Sequence, residues 1–367
     1  NFSMQKLIHQ LLFVLATLLL GGPLTHLAYG QAQSTDGSGL KTCVTLDLMG
    51  GFNAAPGSTA SDRLDVRESE LLMYGPVDHL FDGTLNVAAH GDGERPLFEL
   101  HEAYIGSSKI LPRSRFRVGQ FFLGLGRLNH FHRHDWPVVT APKVQLDFFG
   151  TEGAFDTGAE YTLLAPLPFF LEVTAGVTNG WTYGHVHNAG TKPRVPTHYG
   201  KASTYTSMPG QGGAQTGVNY LSRTTNLGDE MTLVGVDFTA KWRQPDGSGV
   251  LLQSEAWQRT KRPLVGREER ALGIYVLPQV SFSSEWHLGV LLDYFTILTL
   301  QDITGTPIAN SERRIVPTIT YKSSEFVTLR AALDWALATQ QFTADRYNKS
   351  LLLQAAVNLG AHPAHEF

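Results

Sequence analysis

Three histidines stand at alternate positions, His130, His132 and His134, and Asp135 follows the third directly. On an extended segment this spacing puts the three imidazoles on one side, and neutral imidazole beside a carboxylate is a ligand set for zinc. The same stretch is rich in cations. Arg127, Arg133 and Lys143 lie within it, and Arg115 and Arg117 precede it on one face of a strand. Guanidinium forks match the oxygens of oxyanions, and basic side chains around a pore select anions. One region therefore offers two chemistries, metal binding at His130, His132, His134 and Asp135, or anion contact at Arg115, Arg117, Arg127, Arg133 and Lys143. The metal set lacks an independent cysteine or second carboxylate, so a polar loop whose histidines bond backbone and wall is the preferred reading of the imidazoles.

Other chemistries find little support. His101-Glu102 opens a zinc-protease string, but Ile105 stands where the second histidine belongs, and the sequence has no G-x-S-x-G, no phosphate-cradling glycine loop and no CxxC. An enzyme is not expected. A net charge of -4 and a pI near 6.4 give nucleic acid nothing to bind. Cys43 is the sole cysteine, which rules out an intramolecular disulfide.

The elements that position these residues are strands. Residues 1–30 read as a secretory signal: Lys6, an apolar core over 11–20, the breakers Gly21, Gly22 and Pro23, and the small-residue exit Ala28-Tyr29-Gly30, with Asn1 to Ser3 an artefact of the gene start. The apolar core is shorter than the ~20 residues of a spanning helix. Residues 31–41 form a short periplasmic segment, and 42–367 the main domain. Fourteen strands are predicted there, with twelve to sixteen admitted, near 42–53, 65–74, 80–90, 97–107, 115–123, 154–164, 168–178, 230–243, 249–260, 271–283, 286–298, 313–322, 328–339 and 351–360. Their connections alternate between short turns and longer loops, the longest being 124–153 and 179–229, and 189–217 reads as mobile from its Gly, Pro, Ser and Thr content. Within strands the apolar set Val173, Ala175 and Val177 opposes Glu172, Thr174 and Gly176, and Leu333 and Trp335 oppose Arg330 and Asp334.

Those patterns define an all-β fold, a transmembrane antiparallel up-and-down β-barrel with lipid outside and a polar lumen. A connection of about thirty residues is long for a structureless loop, so 124–153 is expected to fold inward as the constriction. The terminal strand closes on Phe367, read as the assembly signal, and Pro363 places the last paired residue near Gly360.

The run 118–129, His132-x-His134-x-Trp136-Pro137, Phe148-Phe149-Gly150-x-Glu152-Gly153, Pro166-x-Pro168-Phe169 with Glu172, and the ending Leu359-Gly360-Ala361-His362-x-Ala364-His365-x-Phe367 resemble outer-membrane proteins known as phosphate-selective porin O/P-like, or zinc-regulated outer-membrane receptor-like. The likeness covers 67–180 and the C-terminus best. Leu125 departs from the family's Phe, and Ala141-Pro142-Lys143 from its Asp-Arg-Pro-like triplet. Energised uptake needs a plug domain, for which there is no room before Thr42. The resemblance thus implies a passive channel in the outer membrane for small hydrophilic solutes, with anions such as phosphate among them. Its partners would be outer-membrane lipid, the barrel assembly machinery acting on the C-terminal strand, and further copies in a homotrimer. No cofactor is expected apart from zinc, which belongs to the rival reading of a metal-binding uptake or surface protein.

Overall fold

The structure is a computed structural model and describes residues 39–53, 63–92, 95–183, 193–301, 307–340 and 343–363. Within them run sixteen strands: β1 (Lys41–Asn53), β2 (Arg63–Pro76), β3 (Asp82–Asp92), β4 (Arg95–Ser107), β5 (Ser114–Phe122), β6 (Phe155–Leu164), β7 (Glu172–Thr178), β8 (Thr197–Met208), β9 (Gly212–Thr224), β10 (Glu230–Arg243), β11 (Gly249–Arg262), β12 (Glu269–Ser281), β13 (Trp286–Gln301), β14 (Pro307–Lys322), β15 (Val327–Gln340) and β16 (Thr343–Gly360). Each pairs antiparallel with its neighbours, and β1 closes the ring on β16 in a register running from Cys43↔Gly360 to Asn53↔Ser350. Closure leaves no open edge. Pairing stops at Gly360, as Pro363 led us to expect. Residues 1–30 and Phe367 lie outside the described residues.

The count exceeds the fourteen strands expected because 179–229 is not one loop. It contains the hairpin β8–β9, turned by Pro209-Gly210-Gln211, with Gly210 and Gln211 both at positive φ. Two of the glycines that made this stretch read as mobile are packing residues. A Cβ at Gly213 would land on the Tyr205 ring, and one at Gly217 on the Asp237 carboxylate. Threonine and tyrosine between them supply ordinary strand formers.

Side-chain alternation separates two faces as the pattern predicted. In β15, Asp334 is 7% exposed and Trp335 49%. In β10, Asp237 and Thr239 point in, and Val234 and Val236 point out. The outward face carries Val118, Val173, Val177, Val218, Ile315, Ile319 and Leu333, an apolar band of the kind that meets hydrocarbon. Two ladders are interrupted at prolines that have no N–H to give, Pro278 between β12 and β13 and Pro317 between β14 and β15.

Part of the inward face departs from a purely polar lumen. Leu221, Leu233, Trp257, Tyr275, Leu277, Leu291 and Val316 are buried there in one cluster with residues of the 123–154 connection. Gly235 is small because the Trp257 ring occupies the space a Cβ would take, whereas at Gly289 the nearest side-chain atoms stand off at 3.6 Å. Gly235→Ala should therefore lower stability by about 1–3 kcal/mol through overpacking. Gly289→Ala should change it far less, and chemical unfolding of the two refolded variants side by side checks the contrast.

Candidate functional site: the inward loop and the cavity beside it

Residues 123–154 leave β5, cross the barrel interior and return to β6. The segment contains two 3-10 turns, Leu128–His130 and Arg133–Asp135, and one helix, α1 (Lys143–Phe149). Asn129 ties its two ends together. Its amide donates to the carbonyls of Leu123 and Ala154 at 2.8 and 3.0 Å, and its Oδ1 accepts from the Ala154 N–H at 2.6 Å. Leu125, Leu128, Trp136, Val139, Val144, Phe148 and Phe149 form the loop's apolar side. The Trp136 indole N–H is satisfied by the carbonyls of Leu128 and Phe131, both at 3.0 Å.

The wall holds the loop through its backbone. Carboxylates accept loop N–H groups: Glu160 from Gly124 at 3.0 Å, Glu255 from Leu128 at 2.9 Å and Asp293 from Lys143 at 2.7 Å. Asn219 accepts from Gly126 at 2.9 Å. Guanidinium groups donate to loop carbonyls: Arg67 to Val139, Arg314 to Ala141 and Arg259 to Asp147 at 2.9 to 3.0 Å. Gly126 has φ +61, and a Cβ there would collide with the Glu255 carboxylate, so the close approach requires glycine.

Beside the loop, towards the short turns, lies a cavity of about 430 Å³. Arg115, Arg117 and Arg127 meet there with Lys201 from β8 and His130. Arg117 is held by Glu160 at 2.8 Å and lies 4.2 Å over the Phe121 ring. Lys201 bonds the Gly126 carbonyl at 2.6 Å and Asp237 at 3.2 Å. Asp82, Glu160 and Glu172 also line the space, so cations exceed carboxylates by one. The crowding of protein around His130, and then the charges of Lys201, Arg117, Arg127 and Arg115, push this imidazole well below its ordinary range and leave it a neutral hydrogen-bonding group.

Arg133 and Lys143 do not reach this cavity. Arg133 stands among Arg67, Glu68, Glu152 and Asp47. Lys143 pairs with Asp147 at 3.2 Å along α1.

The three alternate histidines do not converge either. The 3-10 turns break the extended spacing, sending His130 to the basic cavity and the other two to carboxylates. His132 lies 3.0 Å from Glu70 and 2.9 Å from Glu102. His134 lies 3.0 Å from Glu70 and 3.1 Å from Asp135. His362 of the C-terminal tail closes on Asp135 at 3.5 Å and on the His134 ring at 3.4 Å. Burial alone would lower the pKa of His134, but Asp135 and Glu70 raise it well above its ordinary range. The sequence carried no signal for Lys201 or Glu70 as partners of the loop, because those pairings depend on register across the barrel.

Taken together, a closed sixteen-strand wall, an apolar outer band and an inward loop define a porin-type barrel fold. No family model matches the chain. A channel, DcaP of Acinetobacter baumannii, superposes with a TM-score of 0.61 at 13% identity, over 87% of this chain and 96% of that one. The trimer form of OmpT from Vibrio cholerae gives 0.59 at 11% identity over 87% and 99%. An anion-selective porin from Comamonas acidovorans gives 0.58 at 8% identity over 88% and 99%. In sequence, an uncharacterized protein of Aquifex aeolicus is 35% identical over 112 residues, which are 30% of this chain and 23% of that protein's length.

A group whose folded pKa is raised stabilises the fold fully below its unfolded value of about 6.5, and that contribution fades as pH rises through the raised value. His134→Gln should therefore destabilise the barrel most at acidic pH. The gap between the unfolding midpoints of variant and parent should narrow as the pH is taken towards alkaline values.

Proposed function

We propose that this protein is an outer-membrane porin, a passive diffusion channel for small hydrophilic solutes. The observation that carries the reading is the combination of a closed barrel, apolar outside and polar or charged on much of its inside, with a folded loop held across its interior. A charge at the lipid midplane of such a wall costs roughly 2–4 kcal/mol, which accounts for the sidedness of the strands. The short turns and both barrel ends at β1 and β16 would then face the periplasm. The solved barrels of the same fold include one titled an outer membrane channel and one titled an anion-selective porin, which supports the class.

Small anions, phosphate among them, are the favoured solutes. Arg115, Arg117, Arg127 and Lys201 converge on one cavity, and guanidinium groups there can meet an oxyanion in a bidentate manner. The homotrimer stays a proposal, supported by the trimer form of one barrel of the same fold.

The refolded mature protein should give discrete open steps in a planar bilayer. Under a salt gradient its reversal potential should have the sign of anion preference. Arg115→Ala with Arg127→Ala should move that potential towards cations while the barrel still folds. A correctly folded but silent barrel would overturn the channel reading, and an unchanged potential in the double variant would overturn the anion assignment alone.

A further inference from the structure

Further along β3 and β4 from the residues that line the basic cavity, two wall histidines meet two carboxylates. His90 comes from β3, Glu99 and His101 from β4, and Glu152 from the return arm of the loop, and one ligand atom of each lies within 4.8 Å of all the others. His90 Nε2 stands 3.2 Å from His101 Nε2 and 3.6 Å from Glu99 Oε2, and His101 Nε2 stands 3.1 Å from Glu152 Oε2. Zinc with nitrogen and oxygen ligands at about 2.0–2.1 Å in a tetrahedron requires ligand atoms to be roughly 3.3–3.4 Å apart. The observed edges bracket that value.

His90 Nδ1 can give its proton to Glu152 Oε1 at 3.1 Å, but protons satisfy the other side of the cluster poorly. His101 Nε2 faces an imidazole nitrogen and a carboxylate oxygen at nearly equal distance, and one nitrogen carries one proton with one direction. A cation placed between the four groups accepts all their lone pairs at once.

A second observation points the same way. Glu68 is 2% exposed, and no N–H or hydroxyl group among the described residues donates to its carboxylate, whose nearest acidic neighbour is Glu70. Glu68 Oε1 lies 3.6 Å from His101 Nδ1, whose own hydrogen-bonding capacity is likewise unused. A carboxylate behind the distal nitrogen of a ligating histidine is the usual outer-shell arrangement that fixes the tautomer of the ring and strengthens it as a ligand. Glu70 and Glu102 are met by His132 and His134, and Arg67 and Arg133 stand on the same side, so the negative charge offered to a cation here is that of the cluster itself.

We propose that His90, Glu99, His101 and Glu152 form a binding site for a divalent transition-metal cation of the zinc type, with Glu68 positioning His101. Three of the ligands belong to the β3–β4 wall and the fourth to the loop. Bound metal clips the end of the loop to the wall. The site differs from the alternate histidines of the loop, whose His132 and His134 are engaged by Glu70, Glu102 and Asp135.

The test uses the refolded full barrel, stripped with a chelator and titrated with cobalt(II), with zinc as competitor. One equivalent should bind with the visible spectrum of a tetrahedral nitrogen and oxygen site, zinc should displace it, and thermal unfolding should move to higher temperature. His101→Gln should abolish the spectrum, Glu68→Gln should weaken binding by about 10–100-fold, and His134→Gln should leave it intact. X-ray absorption of the zinc-loaded parent protein, which needs no variant to fold, should show two imidazole and two carboxylate ligands. Absence of binding to the folded parent, an all-oxygen octahedral spectrum, or binding that survives His101→Gln and is lost in His134→Gln would overturn the site. Because the readouts are spectroscopic, a failed channel measurement leaves this test unaffected.

Discussion

Closure of the sheet is the constraint from which the rest of this structure follows. Sixteen strands paired edge to edge satisfy their backbone groups only if β1 finds β16, and the register between Cys43 and Gly360 achieves this. Closure fixes which residues face inward, because the pleat alternates. It also fixes a width. A barrel of sixteen strands is too wide for its own side chains to fill, and in the known range such barrels enclose water. Anything that narrows the interior must be brought in by a connection, and residues 123–154 are that connection.

A loop crossing a wide lumen needs anchors on several walls, and its own backbone has many unpaired groups. The wall supplies long charged side chains to both kinds. Carboxylates from β6, β11 and β13 take its N–H groups, and arginines from β2, β11 and β14 take its carbonyls. These are charge-assisted bonds in a partly dry interior, stronger than their neutral equivalents. Arg314 shows how the anchors are kept in place, since it also pairs with Asp334 at 2.7 Å on the neighbouring strand. The loop's apolar side then covers Trp257, Tyr275 and Phe295, so the constriction is packed as well as tethered.

Much of this was legible from residues alone. Alternation in β7 and β15 assigned inside and outside correctly, and the length of 124–153 marked it as folded inward. The hairpin β8–β9 was missed for a physical reason. Its glycines resemble loop glycines in composition, but they are there because Tyr205 and Asp237 occupy the space next to them, and that is a fact about neighbours. The three alternate histidines divide, and His132 and His134 bond wall carboxylates as the preferred polar-loop reading has it. An i, i+2, i+4 pattern shares a face only while the chain stays extended, and the turns at Leu128–His130 and Arg133–Asp135 end that extension. His90, His101 and Glu152 carry no local pattern, since the first two come together across the β3–β4 pair and the third arrives on the loop.

The loop separates charge. Arg127 and His130 open onto the cavity with Arg115, Arg117 and Lys201, whereas His132, His134 and Glu152 join Glu68, Glu70, Glu99 and Glu102 on the other side. Only a few residues divide the two groups in sequence, and the turn at Leu128–His130 does the dividing. The two groups are separated along the strands: Thr84 of β3 and Tyr104 of β4 line the basic cavity, and His90, Glu99 and His101 of the same two strands belong to the carboxylate-rich cluster. The turn at Leu128–His130 thus sets two different electrostatic environments beside one loop, a cavity lined by Arg115, Arg117, Arg127 and Lys201 and a cluster built on Glu99, Glu152, His90 and His101, while Leu125 to Phe149 supply the apolar residues that pack the loop itself.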